Sequence, residues 1–250
     1  MRDRDSELRL ADVLVKTADT LTDDFDAEEY LRWLSDCSVE LLDAQGAGIM
    51  YTGGNDGVRL ISNSGQEGCV RDLLAVQHRG GPCVESFGTG RPVPPVGLDE
   101  AKARWPAFGA QALKYGVAQT YAVPMRRHDT ILGALNVFVP VAHQSTACER
   151  EFRVALVLAH GAAVGLGNHL MHAEYRTLSE QLQTALDSRI RVEQAKGFLA
   201  QRWGTDVDEA FEALRRYARN EQQAIDLVAG QVIKGSIGDA ALRDGGSAPR

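Results

Sequence analysis

Positive charge is in deficit. The chain carries 27 Lys and Arg against 34 Asp and Glu, a net charge of −7. A protein that coats nucleic acid without sequence preference is normally basic, so any nucleic-acid contact here has to be local. Cysteine is scarce: Cys37, Cys69, Cys83 and Cys148 show no CxxC spacing and read as free thiols of a reducing compartment, mostly small buried hydrophobes. Long hydrophobic runs are missing. The longest, "VALVLAHGAAVGLG", is too short and too Gly-rich to span a bilayer, and "MRDRDSELRL" is too charged for a signal peptide. The expectation is a cytoplasmic protein with no membrane partner. No Ser-His-Asp set, phosphate loop or paired acid motif stands out, so no catalytic residue is assigned.

With 44% apolar and 24% charged residues, the chain is an ordinary globular one with room for one large or two smaller domains. Leu8, Ala11, Leu14, Val15, Ala18 and Leu21 share one face of a first helix. A second helix runs over 27–42, with Leu31, Leu34, Val39 and Leu42 inward. "GAGIMYTGG" and "GVRLISNSG" read as a hairpin, "CVRDLLAVQHRG" as a short helix, and "GPCVESFGTGRPVPPVGL" as loop and short helix. "GVAQTYAVPMRRHDTILGALNVFVP" reads as two strands joined by a polar turn. From Glu149 a helical pattern continues to Trp203. This order predicts an α+β fold, an antiparallel sheet with helices on one face. Everything after Gly204 is helical, and 236–250 is expected to be a frayed or disordered tail.

The stretch "RIRVEQAKGFLAQRWGTDVDEAFEALRRYARN" resembles the ANTAR domain, a three-helix module that binds RNA in transcription antitermination. Ile190, Ala195-Lys196-Gly197, Leu199, Arg202, Gly204, Glu209-Ala210-Phe211, Leu214-Arg215, Ala218 and Val228-Ala229 carry the resemblance. Two positions depart from that pattern: Ala200 replaces a usual Met, and "NEQQAID" at 220–226 has no Lys or Arg. The N-terminal region is similar to GAF sensor domains through Gly81-Pro82-Cys83, Gly90, Arg104-Trp105-Pro106, Gly116, Pro124 and "LGALNVF". The resemblances imply an N-terminal helix over 1–25, a GAF sensor over 26–170, a coiled-coil connecting helix over 171–188 and an ANTAR domain over 189–235. They imply a signal-responsive regulator of RNA stem-loops, and the helical seam over 171–199 implies that it acts as a homodimer. A small ligand of unknown identity would occupy the sensor; no cofactor is indicated.

The residues themselves add detail. Met171, Tyr175, Leu178, Leu182, Ala185, Arg189, Val192, Lys196 and Leu199 alternate in steps of four and three, a heptad seam whose second half is cationic. The tight seam is expected to end near Ala185. A glycine inside a helix costs about 1 kcal/mol relative to Ala. Gly197 is expected to compensate by close packing of the face with Ile190 and Phe198 on the next helix, leaving Lys196 outward. Asp187–Arg219 holds seven basic and six acidic residues, well above the balance of the whole chain. Arg189, Lys196, Arg202, Arg215, Arg216 and Arg219 are the candidate RNA-binding residues, against the plainer reading of solvated charges and a pairing of Arg215 with Glu212 or Asp187. Trp203 and Tyr217 are core or stacking residues. Cys83, Trp105 and Tyr121 are the candidate pocket residues, against the plainer reading of Cys83 as a buried structural thiol. His160, His169 and His172 lack a convergent further ligand, so no metal site is assigned. Three other functions fit the same sequence: a thiol enzyme using Cys69 or Cys83, a helix-turn-helix DNA binder, and a sensor acting through protein partners.

Overall fold

The computed structural model describes residues 2–22, 24–52, 57–62, 67–140 and 148–244. They form two units, Met1–His172 and Ala173–Arg250. The first contains α1 (Arg2–Ala18), α2 (Ala27–Leu41), β1 (Gly46–Thr52), β2 (Val58–Ser62), α3 (Glu67–Ala75) and α4 (Pro82–Thr89). It continues with β3 (Val93–Gly97), α5 (Leu98–Arg104), α6 (Pro106–Lys114), β4 (Val117–Arg127) and β5 (Thr130–Pro140). The helix α7 (Cys148–Trp203) then runs for 56 residues and enters the second unit, where α8 (Val207–Asn220), α9 (Ile225–Ile233) and α10 (Asp239–Asp244) follow.

The sheet is antiparallel with strand order β2-β1-β5-β4-β3. The fold is α+β as expected, but helices cover both faces rather than one. Successive side chains of a strand point to opposite faces. Ala47, Ile49 and Tyr51 of β1, Tyr121, Val123 and Met125 of β4, and Leu135, Val137 and Val139 of β5 pack against α2 and α7. Their alternates Met50, Ala122, Ala134 and Phe138 pack against α3, α4, α5 and α6. Strands buried on both sides read as nearly continuous apolar runs, which is what β4 and β5 are. The stretch read as loop and short helix also holds β3. Its Pro94 and Pro95 lack ladder donors, and an edge strand is where a sheet tolerates that.

The inward face of α1 is also different from the expected one. Val13 and Thr17 are buried, with Leu10 and Leu14 partly so, while Leu8, Val15 and Leu21 remain exposed. The 10-13-14-17 spacing is the helical face that meets the core. That makes α1 part of the first unit rather than a separate segment. Gly165 of α7 lies against the end of α1, where a Cβ would collide with the carbonyl oxygen of Thr17. Thr20 Oγ1 donates to the Gly165 carbonyl at 2.8 Å. By length and composition the first part of α7 is apolar enough to cross a membrane, more than the run alone suggests. Its Ala155, Leu158, Ala159, Ala162, Ala163 and Leu166 are instead buried on the sheet.

In the second unit α7 ends at Gly204, whose φ of +64° suits glycine, and Thr205 N–H bonds back to the Ala200 carbonyl at 3.1 Å. Asp206 then caps α8 by accepting from Asp208 N–H at 2.8 Å. Ala195, Leu199, Ala210, Leu214, Val228, Ala229 and Val232 form the core. The tail is a correction. Residues 239–244 are helical and Leu242 is fully buried in that core; 245–250 lie outside the described residues. Deleting a buried leucine side chain costs about 2–5 kcal/mol. Leu242→Ala is expected to lower the stability of the second unit by that order in denaturant titration, whereas a frayed tail predicts no measurable change.

Candidate nucleic-acid interface and sensor core

The six candidate cations do not form one patch. Lys196 is the clearest departure: its side chain is only 14% exposed. The ammonium lies 5.0 Å from the centroid of the Phe211 ring and 3.0 Å from Glu193. Arg215 and Arg219, one turn apart on α8, border an open groove of about 590 Å³ with Phe211, Gln222, Gln223 and Ile225. Arg215 reaches Glu212 at 3.6 Å across an exposed helical pair, worth only about 0.3–0.5 kcal/mol. Among the described residues no ion pair is found for Arg189 or Arg219. Arg202 pairs with Asp239 at 3.0 Å, and Arg216 donates to the Arg243 carbonyl at 2.8 Å, so both lean toward α10.

The sequence singled out Phe211 only as part of the ANTAR resemblance and 220–226 only for lacking Lys and Arg. Both supply the groove. Gln222 adopts φ +53° in the turn after α8, which sets its amide and that of Gln223 at the rim. No periodicity signals such a turn, and Gln is not among the side chains enriched at positive φ.

The expectation for Gly197 fails. Nothing lies within 4 Å of a Cβ built there, and Ile190 and Phe198 are exposed beside it. The face of α7 that meets α8 and α9 is Val192, Ala195, Leu199, Ala200 and Trp203. Tyr175, Leu178, Leu182, Leu186 and Ile190 make an exposed apolar line on the same helix. The heptad seam is thus divided: its early members face solvent, while Val192 and Leu199 pack inside the second unit and Lys196 turns to Phe211.

The three pocket candidates lie on opposite sides of the sheet. Tyr121 is fully buried against α7, edge-on to Phe152 at 5.6 Å. Cys83 and Trp105 lie in the other core, with Phe108 and Phe138. Trp105 joins α5 to α6, Pro106 opens α6, and the Arg104 guanidinium lies 4.8 Å from the indole centroid while pairing with Glu85. A buried polar chain fixes this side. Gln77 Nε2 donates to Asn136 Oδ1 at 2.8 Å and its Oε1 accepts from Cys83 N–H at 2.7 Å. Asn136 Nδ2 reaches Thr120 Oγ1 at 2.8 Å and the Tyr121 carbonyl at 2.9 Å. His169 ring-stacks on Phe25 at 4.4 Å, and its Nδ1 lies 3.3 Å from the Thr20 carbonyl.

Complete burial pushes the Cys83 thiol up to about 12. Burial also raises the half-buried Cys69, with Asp72 adding to it. Raised thiols carry little nucleophilic thiolate near neutrality. Iodoacetamide between pH 7 and 9 is therefore expected to label Cys69 before Cys83 and to leave Cys83 unmodified until denaturant is added, as read by peptide mass mapping. Native-state labelling of Cys83 that rises with pH over that range would contradict its placement.

Residues 180–233 match the family model described as the ANTAR domain. No curated protein matches the chain. Among solved structures, the A. aeolicus nlh2 GAF domain is similar at 18% identity over 65% of this chain and 98% of its own, with a TM-score of 0.46. The N-acylhomoserine lactone dependent LuxR-family factor CepR2 from Burkholderia cenocepacia matches at 15% identity over 66% and 98%, with a TM-score of 0.49. The GAF domain of an Acinetobacter phosphoenolpyruvate-protein phosphotransferase matches at 13% over 64% and 94%, with a TM-score of 0.43. At these scores the likenesses add nothing to the sheet topology already described.

Proposed function

We propose that this chain, which carries an ANTAR domain at residues 180–233, is a signal-responsive RNA-binding antiterminator. In this reading it acts as a cytoplasmic homodimer on stem-loop RNA, and the first unit is a GAF-type sensor of a small ligand. The domain match carries the proposal. The α8 groove supports it: Arg215 and Arg219 offer charge to phosphates, and Gln222 and Gln223 offer amides to unpaired base edges. With Lys196, Arg202 and Arg216 held by partners in their own unit, Arg215 and Arg219 are the cations best placed to bind. A net charge of −7 fits attraction confined to one face. The buried, protonated Cys83 weighs against a thiol enzyme.

The deciding measurement is a titration of the full chain against its own upstream transcript, with duplex DNA and an Arg215→Glu/Arg219→Glu variant as controls. Stem-loop binding should weaken about tenfold or more between about 50 and 200 mM salt, and the variant should lose it. Preference for duplex DNA would favour the helix-turn-helix reading. No binding to either nucleic acid at low salt would move the function to protein partners.

The exposed line of Tyr175, Leu178, Leu182 and Leu186 supports a second copy as the partner of α7. Leu182→Glu is expected to convert a dimer to a monomer in sedimentation velocity and to weaken RNA binding while leaving helix content unchanged. A wild-type chain that sediments as a monomer at all concentrations would remove the homodimer from the proposal.

A further inference from the structure

Between the end of α1 and the start of α2 lies an open cleft of about 300 Å³. Asp19, Asp24, Asp26 and Glu29 border it, and Lys16 is the one cation among its lining residues. Asp26 is committed to capping α2, accepting from Glu28 N–H at 2.7 Å and Glu29 N–H at 3.1 Å. Among the described residues no ion pair is found for Asp19, Asp24 or Glu29. The wall is aromatic. Tyr30 lies between Phe25 and Trp33, with ring centroids 5.2 Å and 5.9 Å away.

Carboxylates alone would attract any cation. Ring faces select one that sheds its water easily and spreads its charge over methyl or methylene groups. The chain already displays the contact: Lys16 Nζ sits 4.6 Å from the Trp33 ring centroid. Lys16 is exposed, so the ammonium is held there by a long, mobile side chain. We propose that this cleft binds a small organic ammonium cation, seated on Trp33 and Tyr30, neutralised by Asp19, Asp24 and Glu29, and replacing the Lys16 ammonium on the indole.

The cleft touches the long helix within the same unit. Tyr30 OH donates to the Thr17 carbonyl at 3.1 Å, Thr20 bonds to Gly165, and Phe25 stacks on His169. An occupant that shifts Phe25 or Tyr30 therefore moves groups packed on α7. An effect on RNA rests on the regulator reading above; the binding itself does not.

The test is a titration of the full chain with tetramethylammonium chloride, read by the methyl proton resonance and by calorimetry. Sodium chloride at equal ionic strength and the uncharged isostere 2,2-dimethylpropan-1-ol are the controls. Saturable binding with an upfield ring-current shift is expected for tetramethylammonium alone. Lys16→Gln should tighten it about two- to fivefold, the equivalent of one exposed cation–π contact of about 0.5–1 kcal/mol. Asp19→Asn/Asp24→Asn should weaken binding, and Trp33→Leu should abolish the shift, with circular dichroism confirming that each variant is folded. Absence of saturable binding to the folded Lys16→Gln variant overturns the proposal. Equal binding of the alcohol does so too, because it would make the cleft merely apolar. Failure of the RNA titration leaves this result standing, and the reverse holds as well.

Discussion

Both faces of the five-stranded sheet are apolar, and covering them organises the first unit. One face takes four short helices and the buried Gln77–Asn136–Thr120 chain of hydrogen bonds. The other takes α2 and the first part of α7. α7 approaches closely because its contact face is built from Ala155, Ala159, Ala162 and Ala163, with Gly165 admitting the backbone of α1. The end of β4 is tied to the same helix: Arg127 lies over Gly167 and donates to Asn168 Oδ1 at 3.1 Å. The sheet, α1 and α7 therefore share side-chain contacts, and a disturbance in one has a short physical route to the others.

Beyond His172 the same helix changes role. Its side chains over 173–187 are exposed, apolar members included, until Val192 and Ala195 turn into the core shared with α8 and α9. α7 thus supplies core residues to the first unit, an exposed stretch over 173–187, and core residues to the second unit. Local sequence adjusts the face at each stage. Lys196 shows the economy of the last stage: its stem fills space beside Phe211 while Glu193 meets its charge, so a cation in a heptad position causes no repulsion within the unit.

Much of the fold was legible. The hairpins of β1–β2 and β4–β5, α2, and the unbroken run of α7 follow from period-2 and period-3.6 patterns in the chain. The layer count was not, because a strand apolar on both faces shows no alternation from which to tell one covering layer from two. On α1 two apolar faces compete, Leu8/Ala11/Val15/Ala18 and Leu10/Val13/Leu14/Thr17. The second wins because Val13 and Thr17 are buried in the core, where the Thr17 carbonyl accepts from Tyr30 OH of α2 and Thr20 just beyond α1 donates to the Gly165 carbonyl of α7. The short α10 escaped notice for lack of length, since a single buried residue, Leu242, fixes it. At the candidate sites, the cations were legible as residues but not as partners. Arg202 and Arg216 are held by groups 37 and 27 positions away, which no local pattern carries, while the i,i+3 partner of Lys196, Glu193, lies within one helical turn.

Sequence by itself determined the longer helices, the two hairpins, the α+β class and the ANTAR resemblance of the 189–235 segment, which the family model matches over 180–233, because these depend on local periodicity and on a run of residue types within one stretch of chain. Tertiary structure alone decided that Gly197 faces open space and that Cys83 and Tyr121 lie on opposite sides of one sheet. Those outcomes depend on which surfaces meet across long sequence separations, and burial there is set by the shape of the whole core rather than by neighbours in the chain.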